Sequence, residues 1–253
     1  MISPYQHGWR PRLRVVGMLL LVSALLVANP ALAAPAAGAG LPSPSVSARA
    51  MQMVLGLTVL SLAPGILMTV TSFTRIIVAL SLLRTGIGAP GVPPNPVIVS
   101  LALFLSFFVM APTFETAWKN GVLPYNAGKL TEQRAIDATT APFRTFMLHH
   151  VRKDDVTLFV RLSPHPATKL ADIPMTTLMP AFMISELRRA FEIGFLLLLP
   201  FLVIDLAVAA VLMAMGMMML PPVTISMPMK IIFFVLVDGW ALVAGSLVKS
   251  FSP

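Results

Sequence analysis

The residues of this chain that could do chemistry are few, and most sit in hydrocarbon. Asp205 and Lys230 are each the main isolated charge of a long apolar segment, and a short loop joins the two segments. Isolated charges in an apolar medium are expensive, and mutual pairing is the natural solution. Counted from Pro221-Pro222, Asp205 lies 16 residues upstream and Lys230 lies 8 downstream. In an ideal hairpin those depths differ, so pairing between subunits, or with a bent segment, is expected over pairing inside one hairpin. The other chemistry open to such an aspartate is proton relay in a transporter. Glu186, Arg188, Arg189 and Glu192 form a second group. Glu186–Arg189 and Arg188–Glu192 are spaced to pair along one helix surface, and the group reads as a charged helix start rather than a catalytic centre. Arg75 is embedded in a third apolar run, where pairing within an assembly is its expected state.

Methionine supplies the other pattern. Met213, Met215, Met217, Met218 and Met219 precede Pro221-Pro222. Three in a row cannot all face one helical stripe, so some must lie in a turn. A thioether copper site is the lesser reading, because no Cys or His is near in sequence. A flexible apolar ring that conforms around something passing through it is the better one. Elsewhere the usual catalytic patterns fail. Gly86 and Gly88 lack the rest of a nucleotide fingerprint. His149 and His150 are adjacent, so on a helix they point about 100° apart. Ser45 and Ser47 have no His or Asp partner nearby, and the chain has no cysteine. An enzyme is not expected, and neither is a metal or a cofactor.

The elements that must position these residues follow from composition. The 253 residues are 57% hydrophobic and only 11% charged, with a mean hydropathy of +0.87. Soluble domains carry roughly a quarter charged residues, so the chain belongs in a membrane or inside a larger assembly. The net charge of +8 is scattered without a basic block, and no nucleic-acid partner is expected. The fold class is all-α: helical hairpins of an integral membrane protein with a small helical extracytoplasmic segment.

Residues 1–34 read as a cleavable secretory signal, with Arg10, Arg12 and Arg14 ahead of an apolar run and Ala31-Leu32-Ala33 before the cleavage point. Residues 35–49 are an Ala/Gly/Pro/Ser-rich linker. Residues 50–118 form a first helical hairpin, with a break at Pro64-Gly65 and a Gly/Pro turn over 85–96. Its second apolar run, 97–111, is short for about 30 Å of hydrocarbon. Residues 119–179 are polar and helical, with Thr140 as an N-cap before Ala141-Pro142. Asp154 and Asp155 open another short helix, and Ser163-Pro164-His165-Pro166 make a turn. Residues 180–253 form a second hairpin, kinked at Pro200 and stopped at Pro221-Pro222. With an outside N-terminus, 119–179 lies outside yet carries most of the loop cations, which weakly violates the positive-inside rule. The mismatch suggests that these helices are not ordinary spans.

Two stretches carry a family resemblance. Pro180-Ala181-Phe182-Met183-Ile184-Ser185-Glu186-Leu187-Arg188-Arg189-Ala190-Phe191-Glu192-Ile193-Gly194-Phe195 closely resembles one signature of the FliP family. Pro228-Met229-Lys230, seven apolar residues and Asp238-Gly239-Trp240 resemble its second, with Met217 to Pro222 matching a Met-Met-Met-x-Pro-Pro pattern. The resemblance implies a pore-forming core subunit of the flagellar type III export gate, at the inner membrane within the basal body. It implies a homo-oligomer of five copies assembled with FliQ and FliR, with FlhB attached, inside the basal-body ring and largely above the membrane plane. The cargo it implies is unfolded export substrates. Carried over by position, the family's pore gasket falls on Met217, Met218 and Met219, and its charged pair on Asp205 and Lys230. The reading from another class is a secondary transporter or proton channel using Asp205 or Arg75; an intramembrane enzyme lacks a nucleophile–base pair.

Overall fold

The computed structural model describes residues 68–89, 91–163, 172–217 and 219–252, with scattered positions between 51 and 65. The signal segment, the linker, Pro64, Pro164-His165-Pro166 and Met218 lie outside the described residues. The described residues are helical, with no strand among them. All the elements below belong to one unit, 55–253.

Helix α1 (Phe73–Ile87) ends where Gly88 turns left-handed at φ 75° and donates its N–H to Thr85 O. A second left-handed glycine, Gly91, and Pro93-Pro94 make the turn into α2 (Asn95–Ala117), whose Pro96 sits in the first turn, where no N–H is needed. One π-helical turn, Trp118–Val122, follows, then a single turn α3 (Leu123–Asn126). Gly121 lies against Thr139 so closely that any Cβ would collide with it. Helices α4 (Glu132–His150) and α5 (Lys153–Leu162) complete the polar region. Then come α6 (Met175–Ala214), α7 (Pro222–Leu236) and α8 (Gly239–Lys249).

Two expectations about elements change. Thr140 is not an N-cap: α4 already starts at Glu132 behind an extended Thr131, and Thr140 Oγ1 bonds back to Ile136 O at 2.9 Å. The residues ahead of Pro142 establish the helix first, and the proline is carried inside it. The last apolar run is not one helix. Asp238 takes a left-handed conformation (φ 51°), and α7 and α8 meet there at 66°. Gly239 is needed at this corner because a Cβ would strike the Phe234 ring.

The register of contacts arranges the helices in two layers. Arg75 meets Glu186, Leu82 meets Gly194, and Gly86 meets Leu198 and Phe201, so α1 runs parallel to the first half of α6. Ser72 bonds Ser106 at 3.0 Å and Arg84 bonds Asn95, so α2 runs back along α1. At this register α2 lies beside the N-terminal half of α6, to about residue 196. The last 18 residues of α6, about 27 Å at 1.5 Å per residue, project beyond it, and past Phe201 α7 is the helix alongside. One core joins α1, α2, α6, α7 and α8 around Ile76, Leu80, Leu83, Phe201 and Leu247. A second joins α4, α5 and α6 around Met147, Val156, Leu178 and Phe182.

Candidate functional site: buried ion pairs and a methionine tip

Arg75 is fully buried, and so is its partner. Its Nε donates to Glu186 Oε2 at 2.8 Å and its Nη2 to Glu186 Oε1 at 2.5 Å. Nη1 donates to Ser250 O at 2.9 Å and to Ser250 Oγ at 3.1 Å, and the guanidinium stacks 3.7 Å over the Phe251 ring. Planar, forked donors suit this bidentate pairing and stacking, which a lysine could not reproduce. Ser250 ends α8, so Arg75 also answers one of the carbonyls that every helix C-terminus leaves open.

 Lys230 repeats the scheme further along α6, in its apolar half. The 19 residues between Glu186 and Asp205 set the spacing, about 28 Å at 1.5 Å per residue. Lys230 Nζ donates to Asp205 Oδ2 at 2.7 Å and to Gly86 O at 3.1 Å. Ser226 Oγ donates to the other oxygen of Asp205. Gly86 lies in the last turn of α1, so Lys230, like Arg75, caps a helix C-terminus while pairing with a carboxylate of α6. The ammonium is buried and Asp205 keeps a quarter of its side chain exposed.

This pairing lies inside one hairpin, against the depth count made from Pro221-Pro222. That count treated every residue up to the prolines as helix. In fact α6 ends at Ala214, and residues 215–221 form the connection. Measured from the helix ends, Asp205 is nine residues from Ala214 and Lys230 is eight from Pro222, so the two are level. Ser226 was missed in the sequence. Its spacing of four from Lys230 was the available signal, since both fall on one helix face.

The charges around Glu186 also find different partners from those expected. The pairs within the helix, Glu186–Arg189 and Arg188–Glu192, do not form. Glu186 turns to Arg75, Glu192 reaches Arg152 at 3.3 Å, and Arg188 lies 3.8 Å from Asp155. Surface pairs within a helix contribute only a few tenths of a kcal/mol, so partners on packed neighbours prevail. Asp155 is buried and accepts from Ser185 Oγ at 2.7 Å, and Ser185 Oγ in turn accepts from the Arg152 N–H at 3.0 Å. Arg189 has no carboxylate partner among the described residues.

The methionines occupy the end of the projecting hairpin. Met213 and Met215 are exposed, Gly216 turns left-handed, and Met219 is 98% exposed. Met217 is half-buried, and Met218 lies outside the described residues. The hairpin above them is apolar outside, with Leu202, Val203, Leu206, Ile232, Val235 and Leu236 all exposed. Asn95–Asn126 and Met175–Ala214 are long and apolar enough to cross a membrane, and α7 with α8 would pass as one bent span. Among the described residues no three His, Asp or Glu are placed to hold a metal ion.

Interior ion pairs, an apolar exterior and a helical hairpin of bilayer length define the class: an all-helical membrane subunit. The FliP family matches residues 56–247. The chain is 53% identical to the flagellar biosynthetic protein FliP of Caulobacter vibrioides over 95% of its own length and 91% of that protein. It is 50% identical to the protein of that name in Bacillus subtilis (79% and 91% of the two chains) and 45% identical to that in Aquifex aeolicus (79% and 85%). The chain belongs to the FliP family of flagellar biosynthetic proteins.

Proposed function

We propose that this chain is a pore-forming core subunit of the flagellar type III export gate. Several copies, with FliQ, FliR and FlhB, conduct unfolded flagellar substrates across the inner membrane inside the basal-body ring. The observation that carries this reading is the methionine turn at the free end of the α6–α7 hairpin. The long, unbranched, polarisable side chains of Met213, Met215 and Met219 stand exposed there, where a soluble protein would place polar ones. Arranged around an axis, such side chains close on one another and yield to an extended chain. The layered register supports the membrane placement. The last 18 residues of α6, with α7, match the hydrocarbon thickness of about 30 Å, as α2 also does by length and composition. α2 lies beside the other half of α6, so the two cannot share one bilayer, and the upper layer is assigned above the membrane. The transporter reading loses its ground because Asp205 already accepts from Lys230 and Ser226 within the subunit.

The test is Met217→Ala with Met218→Ala and Met219→Ala, in cells that assemble the complex. Leakage of small solutes should rise while assembly persists. Unchanged permeability with normal export removes the seal from the proposal.

A further inference from the structure

We propose that α5 of one copy of this chain docks into a groove of the next copy, with Asp154 reaching Arg189. The inference rests on the reading above of a multi-copy subunit and names the surface through which copies meet.

The groove, of about 810 Å³, runs between α4, the end of α2 and the C-terminal residues. Ala138, Ala141, Pro142, Thr145 and His149 form its α4 wall, and Arg189 stands at one end. Arg189 also borders a smaller cavity that holds Arg75 and Arg152. Arg75 and Arg152 have their carboxylates, Glu186 and Glu192, whereas Arg189 has none among the described residues. The groove therefore ends in an unanswered cation and is otherwise neutral and largely apolar, apart from the imidazoles of His149 and His150.

The complementary surface is on α5. Asp154, Leu158 and Leu162 recur at i, i+4 and i+8 and share one helix face. Leu158 is 50% exposed and Leu162 is 70% exposed. Asp154 is exposed and takes part in no ion pair among the described residues, while the adjacent Asp155 is buried against Ser185. From Asp154 to Leu162 the stripe spans about 12 Å, and from Ala138 to His149 the groove wall spans about 16 Å, at 1.5 Å per residue.

The two surfaces also lie at matching heights along α6. Arg152 N–H and Asp155 both meet Ser185, and Phe159 and Val160 pack on the cluster around Leu178 and Phe182, so α5 runs antiparallel to α6 and Asp154 stands about one turn from the level of Arg189. Phe114 packs on Phe143 and Gly121 on Thr139, so α4 runs antiparallel to α2 and therefore parallel to α6. Going away from Arg189, the groove passes Thr145, Pro142, Ala141 and then Ala138, while the stripe passes Leu158 and then Leu162. Rotation about an axis along α6 therefore carries charge onto charge and leucines onto the apolar wall. Two different faces meet, as in a contact that closes a ring.

The chain has no native cysteine, so engineered pairs report cleanly. Leu158→Cys with Thr145→Cys in the full chain, oxidised within the solubilised complex, should give a ladder of dimers and higher species. Each single cysteine should stay monomeric, because a heterologous contact does not bring a residue against itself. Asp154→Arg should lower the assembled fraction about tenfold, a loss of about 1.4 kcal/mol, and adding Arg189→Asp should restore it. A complex that assembles in several copies without the ladder, or a charge exchange that does not restore assembly, overturns this contact and leaves the export-gate reading standing. If the unmodified chain forms no multi-copy complex, both fall.

Discussion

Glu186→Gln keeps the side-chain volume and removes one negative charge from beneath Arg75. Both side chains are fully buried, so no water moves in to compensate. Arg75 would keep the two oxygens of Ser250 and the face of Phe251. It would lose its counter-ion; one of its two donors would face an amide NH₂ and the other a neutral oxygen. Removing one partner of a buried pair costs about 3–5 kcal/mol, because the survivor is a desolvated, uncompensated charge. Set against about 5–15 kcal/mol for a whole domain, that loss threatens the α1–α6 contact itself. Unfolding of the purified chain in detergent, followed by helical circular dichroism against denaturant, measures it. The companion variant is Arg75→Met with Glu186→Leu. It removes both charges, and an apolar replacement of a buried pair is often neutral or better, so it should recover most of the loss. A Glu186→Gln protein within about 1 kcal/mol of the parent would refute the reasoning, since that is the range of exposed pairs. So would a double variant as unstable as the single one.

The same measurements test the lower pair. Lys230→Ala should cost less than Glu186→Gln, about 1–3 kcal/mol, because Asp205 keeps partial access to solvent. Asp205→Lys combined with Lys230→Asp should recover part of the loss, and an exchange no better than either single change would count against direct pairing. Gly86→Ala should destabilise by about 1–3 kcal/mol, since its Cβ would lie 2.6 Å from Leu198 Cδ2 and 3.1 Å from Phe201 Cδ2. Gly245→Ala is the contrast: no atom lies within 4 Å of that Cβ, and α8 should gain about 0.5–1 kcal/mol. A Gly86→Ala chain as stable as the parent would break the register on which the two layers rest.

The helical class, the turn between the last two long segments and the embedded charges Asp205 and Lys230 were legible in the sequence, because hydropathy and embedded charge are local properties. The direction of pairing was not. Arg75 and Glu186 are 111 residues apart, and nothing in either helix names the other. Spacing favoured neighbours such as Arg189, but burial against a packed helix outweighs i,i+3 proximity. The depth of Asp205 was misjudged for a simpler reason. Methionine and alanine are good helix formers, so the end of α6 at Ala214 has no marker short of Gly216. Thr140 failed as a cap because an N-cap signal acts only where no helix has yet begun, and Glu132 to Thr139 had already begun one.

The two ion pairs do more together than either does alone. Each cation answers a carboxylate of α6 and an open carbonyl at another helix's C-terminus: α8 for Arg75, α1 for Lys230. Glu186 and Asp205 thus bracket the α1–α6 contact, and Gly86 and Gly194 bring the backbones close between them. The lower clamp falls where the packed layer ends and the bare hairpin begins. A two-helix hairpin with little else around it would otherwise pivot at Pro200, a proline inside α6. Lys230 ties α7 back to α1 just beyond that proline, which fixes where the methionine tip stands relative to the packed layer. The seal proposed above needs every tip at one height. In this arrangement the charges buried in hydrocarbon set the geometry of a turn that bears no charge at all.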